Sequence, residues 1–113
     1  MINSRLNFQE KLEEILGSRN VYFQSPANVT MKYPAIVYKL EKVSEKTGSN
    51  IKYKRDYCYT VTLMHYDPDN DIVDKLLDLP YSSLDKTFST QGLNHYVFTI
   101  YYKNEKENNK LCL

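Results

Sequence analysis

The residues able to do chemistry are few and scattered along the chain. His65 and His95 are the only histidines, and neither has a Cys or a pair of carboxylates at metal-ligand spacing. A histidine without partners is read as a structural or surface residue. Asp67-Pro68-Asp69-Asn70-Asp71 gathers three carboxylates and an amide but lacks the length, the Gly and the terminal Glu of a calcium loop. Those residue types are explained by capping of a helix that starts just after them. Ser82-Ser83 has no nucleophile-elbow context, and Gly17, Gly48 and Gly92 lie too far apart for a phosphate-binding loop. Cys58 and Cys112 form neither a disulfide framework nor a metal knuckle and are expected to be free thiols. The expectation is a non-enzyme with no metal and no cofactor.

One cluster points elsewhere. Lys52, Lys54 and Arg55 interleave with Tyr53 and Tyr57, the pattern of a surface that stacks bases and neutralises phosphates. Glu45 and Asp56 dilute its charge, so a solvated strand end accounts for it better than nucleic-acid binding. The whole chain carries 15 basic and 14 acidic residues, a formal charge of +1 that supplies no field for holding a polyanion or a membrane surface. With 113 residues, 42% hydrophobic and 26% charged, it has the length and composition of one globular domain. The N-terminal residues lack a signal-like apolar run, so a cytosolic protein is expected. Eleven Tyr with no Trp suit half-buried sheet faces, including faces covered by another subunit.

The elements that would position these residues follow from hydrophobic period. Phe8, Leu12, Ile15 and Leu16 predict an amphipathic helix over Asn7–Gly17. Asn20–Ser25 predicts a short strand, and the segment between Pro26 and Pro34 a loop. Ala35–Lys42 alternates as a half-buried strand, Ser44–Asn50 reads as a polar hairpin loop around Gly48, and Lys52–Tyr66 returns as the longest strand. In it Tyr53, Tyr57, Tyr59, Val61 and Leu63 line one side. Ile72, Val73, Leu76 and Leu77 predict a second, short helix. A strand near Leu84–Ser89, a turn at Gln91-Gly92 and a last strand over Leu93–Lys103 complete the order. The fold class is α+β, a mainly antiparallel sheet of about four to five strands with two short helices packed on it. One domain over residues 1–103 is expected, with 104–113 as a flexible polar tail.

Two groups of words in the sequence resemble a known family. They are Leu16-Gly17-Ser18-Arg19-Asn20-Val21-Tyr22-Phe23-Gln24 with Met31-Lys32-Tyr33-Pro34-Ala35-Ile36-Val37-Tyr38, then Asp67-Pro68-Asp69, Leu79-Pro80-Tyr81 and Leu93–Tyr102 in the same order. The resemblance is to the tail completion or tail terminator proteins of long-tailed bacteriophages and prophages. It implies a non-enzymatic homo-oligomeric ring, usually a hexamer, at the virion neck. Such a ring caps the tail tube, stops its polymerisation and joins tail to head, after assembly in the host cytoplasm. Its partners would be itself, the tail tube protein and the head-tail connector or adaptor protein. DNA would pass through the lumen without specific binding, and no membrane is involved. A head completion or adaptor protein at the portal and a small nucleic-acid-binding module are the alternatives.

Under that reading the contacts fall on loops. Glu45, Lys46, Gly48 and Asn50 in the hairpin, with Asn28 and Lys32 in the earlier loop, are the candidate ring and axial-face contacts. Lys52, Lys54 and Arg55 are candidate basic residues of the lumen.

Overall fold

In a computed structural model that describes residues 2–24, 30–48 and 51–103, the chain builds a five-stranded sheet with both helices packed into one core. The elements run α1 (Ile2–Leu16), β1 (Val21–Phe23), β2 (Ala35–Gly48), β3 (Ile51–His65), α2 (Ile72–Leu77), β4 (Ser82–Thr90) and β5 (Leu93–Lys103). Strand order is β1-β2-β3-β5-β4, with β3 in the centre and β1 and β4 at the edges. The α+β class and the mainly antiparallel sheet are as expected. The sheet is nevertheless mixed, because β1 runs parallel to β2 with Val21 opposite Ile36 and Phe23 opposite Tyr38. A connection spanning residues 24–34 is long enough to return along the strand, where a tight turn would have forced an antiparallel pair.

α1 begins at Ile2, ahead of the expected start at Asn7. No Gly or Pro interrupts residues 2–7, and Ser4, one turn before Phe8, is buried with it against the sheet. The helix stops at Gly17, whose φ of 81° closes the last turn while its N–H donates to Glu13 O at 2.8 Å. α2 is capped by Asn70, whose Oδ1 accepts the N–H groups of Ile72 and Val73 at 3.1 and 3.2 Å. The flanking carboxylates do other work, Asp67 Oδ1 accepting from Asp69 N at 2.9 Å.

The largest departure concerns the hairpin. Ser44–Asn50 was expected to be a loop, yet β2 continues to Gly48 and β3 resumes at Ile51, with Gly48 opposite Ile51. Polarity lowers strand propensity only weakly, and the partner strand fixes register through Val43↔Tyr57 and Ser44↔Asp56. β4 is likewise longer than the expected Leu84–Ser89, since it pairs with β5 from Ser82 to Thr90. Its turn, Gln91-Gly92, has φ of 55° and 79°, the positive pair that a two-residue hairpin with the twist of its strands requires.

The core lies between the helices and one sheet face. Phe8, Leu12 and Leu16 from α1 and Ile72 and Leu76 from α2 meet Ile36, Tyr38, Tyr57, Tyr59, Val61, Leu63, Phe98 and Ile100. Each such large side chain contributes about 1.5–3 kcal/mol by leaving water. Tyr38, Tyr57 and Tyr59 are therefore spent inside the chain's own core rather than on a face left for another subunit.

Candidate assembly interface

The β2–β3 hairpin carries most of the residues singled out from the sequence. β5 pairs with β3 only as far as Lys103 opposite Asp56, so beyond Ser44 and Asp56 the two strands pair only with each other among the described residues. Glu45 stands opposite Arg55, and Lys46 opposite Lys54, on this arm; Gly48 closes it and Lys52 lies near its tip. For residues 45–48 and 51–55 the pairing is described and the side chains are not. Asn28 and Asn50 lie outside the described residues, as do Cys112 and the expected tail over 104–113. Lys32 is exposed in the segment that leads into β2. The fourteen residues of β2 put that entry and the arm at opposite ends of one strand, about 43 Å apart at about 3.3 Å per residue.

Tyr57 cannot serve as a base-stacking residue, which corrects that part of the nucleic-acid reading. It is 6% exposed and faces the core with Tyr59. The histidines fall on opposite faces of the sheet: His65 shares its side with Leu63 and Val61, whereas His95 lies with Val97 and Thr99. His65 Nδ1 accepts from Asp67 N at 3.0 Å, and the His95 ring stacks on Phe88 with centroids 4.6 Å apart. Among the described residues no group of three or more His, Cys, Asp or Glu is placed to hold a metal ion. Cys58 is a buried free thiol.

A polar cluster lies beneath α1. Tyr38 Oη donates to Gln9 Oε1 at 2.6 Å, Arg5 Nη1 donates to Tyr38 Oη at 3.4 Å, and the Arg5 guanidinium sits 4.5 Å from the Phe23 ring centre. Phe8 stacks on Tyr59 at 4.6 Å. Burial raises the Tyr38 phenol, and burial with Tyr38 and Tyr57 nearby pushes Tyr59 up to about 12. Both phenols stay neutral across the physiological range, so the cluster packs and positions α1 rather than supplying a base.

The sheet face away from the helices carries a different population. Lys39 and Glu41 of β2 pair at 3.2 Å, and Thr60 Oγ1 donates to Glu41 Oε1 at 2.8 Å. The Thr60 hydroxyl and then the Lys39 ammonium hold the Glu41 carboxyl below its usual range. Lys42 Nζ lies 5.8 Å from the Tyr101 ring centre, and Lys86 the same distance from Phe88. Asp85 accepts a hydrogen bond from Thr99 Oγ1. β4, at the sheet edge, is exposed along Ser83–Thr90, with Leu84 37% and Phe88 46% exposed. Sequence reasoning missed this edge because strand order, unlike strand existence, is not encoded in hydrophobic period. The exposed Leu84 and Phe88 within an otherwise polar run were the available signal.

No protein-family model matches the chain, and no match to a curated protein is found.

Proposed function

We propose that this chain is a structural protein of the phage neck, a tail terminator that assembles as a ring, caps the tail tube, ends its polymerisation and joins tail to head. The observation that carries the reading is the placement of its two candidate contact segments. The segment entering β2 and the β2–β3 arm leave the sheet at opposite ends of the same strand, as a ring subunit needs if one face is to grip the tube and the other the head connector. The word-like resemblance over Leu16–Gln24, Met31–Tyr38, Asp67–Asp69, Leu79–Tyr81 and Leu93–Tyr102 supports the same assignment. The protein acts by binding the last tube ring and presenting on its far side a surface that no tube subunit recognises. It is non-enzymatic, its partners are itself, the tube protein and the connector, and DNA passes through its lumen.

The test is the position of the protein in whole particles. Immunogold labelling or cryo-electron microscopy is expected to place it at the head-proximal end of the tube, and particles lacking it are expected to have overlong or unjoined tails. Density against the portal would move the chain to the adaptor class. Uniform, joined tails without the protein would sink the proposal.

A further inference from the structure

Among the described residues, both sides of the sheet end in backbone groups that no strand pairs, and the two sides match. On β4, the bond from Tyr101 N to Tyr81 O sets the phase of the ladder with β5. Bonding then alternates, so Ser83, Lys86, Phe88 and Thr90 turn their backbone groups toward β5, while Ser82, Leu84, Thr87 and Ser89 turn theirs outward. The step from Leu84 to Thr87 is three residues because Asp85 is an extra residue at a bulge. On the other side of the sheet, Ile36 N bonds to Asn20 O and Tyr38 O accepts from Gln24 N. Ile36, Tyr38 and Leu40 therefore turn away from β3, and past the bulge at Glu41 so does Val43. The step from Leu40 to Val43 is again three residues. Among the described residues β1 covers β2 over Ile36–Tyr38, and at Leu40 the N–H donates to the Gln24 side chain at 3.5 Å.

We infer that β4 of one copy adds to the outer edge of β2 of the next, with Leu84 opposite Val43 and Thr87 opposite Leu40. This deepens the ring reading by naming the contact between neighbouring copies. The direction is right without inverting either copy, since β3 and β4 run one way and β2 and β5 the other, making the new pair antiparallel. The two bulges cancel, so the ladder keeps register across them. Side chains agree as well. On the helix-bearing face Leu84 (37% exposed) meets Val43 (40% exposed). On the bare face Asp85 falls opposite Lys42 and Lys86 opposite Glu41, two pairs of opposite charge, while Phe88 falls beside Lys39. The joined edges differ from each other, so the contact is head to tail, the kind from which a ring is built when the rotation between neighbours closes. β1 ends the new ladder just past Leu40 and fixes where the incoming strand stops.

The test is a Ser44→Cys, Ser83→Cys double variant of the full chain, in a background with Cys58→Ala and Cys112→Ser. These two positions face each other between copies in the pairing without hydrogen bonds, where Cα atoms approach to about 4.5 Å. Within one copy three strand spacings, about 14 Å, and a further four residues along β5 separate them, beyond the reach of a disulfide. Oxidation at about 1 mM protein, the weak limit for a specific contact, is expected to give a ladder of covalent oligomers on a non-reducing gel. A Ser44→Cys, Ser89→Cys variant is expected to give none. Lys86→Glu is expected to weaken self-association about tenfold and Glu41→Lys in the same chain to restore it. Self-association without the 44–83 crosslink would overturn the edge pairing while leaving the ring reading to the particle experiment. A monomer with no crosslink at that concentration would overturn the edge pairing too.

Discussion

Tyr59 is 1% exposed, beneath Phe8 and beside Tyr38, and its environment makes a pH prediction at the scale of one side chain. Its phenol ionises near 10.0 when unperturbed and at about 12 in the fold. The folded state thus holds the proton more tightly, and the stability this contributes is fully present below pH 10. It is lost as pH climbs toward 12, by at most about 3 kcal/mol. Urea midpoints measured at pH 9 and pH 11.5 are expected to fall between the two, and Tyr59→Phe is expected to flatten that fall. The alternation Tyr57, Tyr59, Val61, Leu63 was legible in the sequence as one strand face. That this face is the chain's own core was not, because a tyrosine's period says which side it shares and nothing of what covers that side.

Two turns carry the element-scale expectations. Asn70→Ala removes the acceptor for Ile72 N and Val73 N and is expected to cost about 1 kcal/mol, read from thermal or urea unfolding. Asn70→Asp, which keeps the acceptor, should recover most of it. Gly92→Ala meets no steric obstacle, since nothing lies within 4 Å of the added Cβ, but its φ of 79° strains an L residue. A loss of about 1–2 kcal/mol is expected, with Gly92→Asn milder because Asn tolerates that region. The same two places show why some elements could be read in advance. Asp and Asn before an apolar helical stripe, and Gln-Gly between two strands, are local signals whose physics is complete within four or five residues. β1 parallel to β2, and β2 running on to Gly48, depend on partner strands distant in sequence, and residue type alone predicted a loop across the hairpin.

For the whole molecule, the arm is separable from the fold. The core residues of β2 and β3 lie within Ile36–Tyr38 and Tyr57–Leu63, on either side of the arm, and β5 pairing begins at Asp56. Replacing residues 45–55 by a two-residue Asn-Gly turn is therefore expected to lower the strand signal in circular dichroism only by the strand residues removed and to move Tm by no more than a few degrees. If the proposed neck role holds, the same variant in particles is expected to uncouple heads from tails, as counted by negative-stain microscopy. The candidate site was legible to the extent that Glu45, Lys46, Gly48, Lys52, Lys54 and Arg55 share one hairpin. The complementary edges were not, since they arise from which strands end up outermost.

The central place of β3 sets a gradient of solvent exchange across the molecule. Amides of Cys58–Leu63 bond to β2 or β5 on either side, with Tyr59, Val61 and Leu63 beneath the helices, so their hydrogens exchange with deuterium only when the whole fold opens. Among the described residues no strand lies on the outer side of β4, so the outward amides of Leu84 and Thr87 are expected to exchange far sooner. Their slowing at high protein concentration, with the β3 amides unchanged, would read out subunit contact one hydrogen at a time.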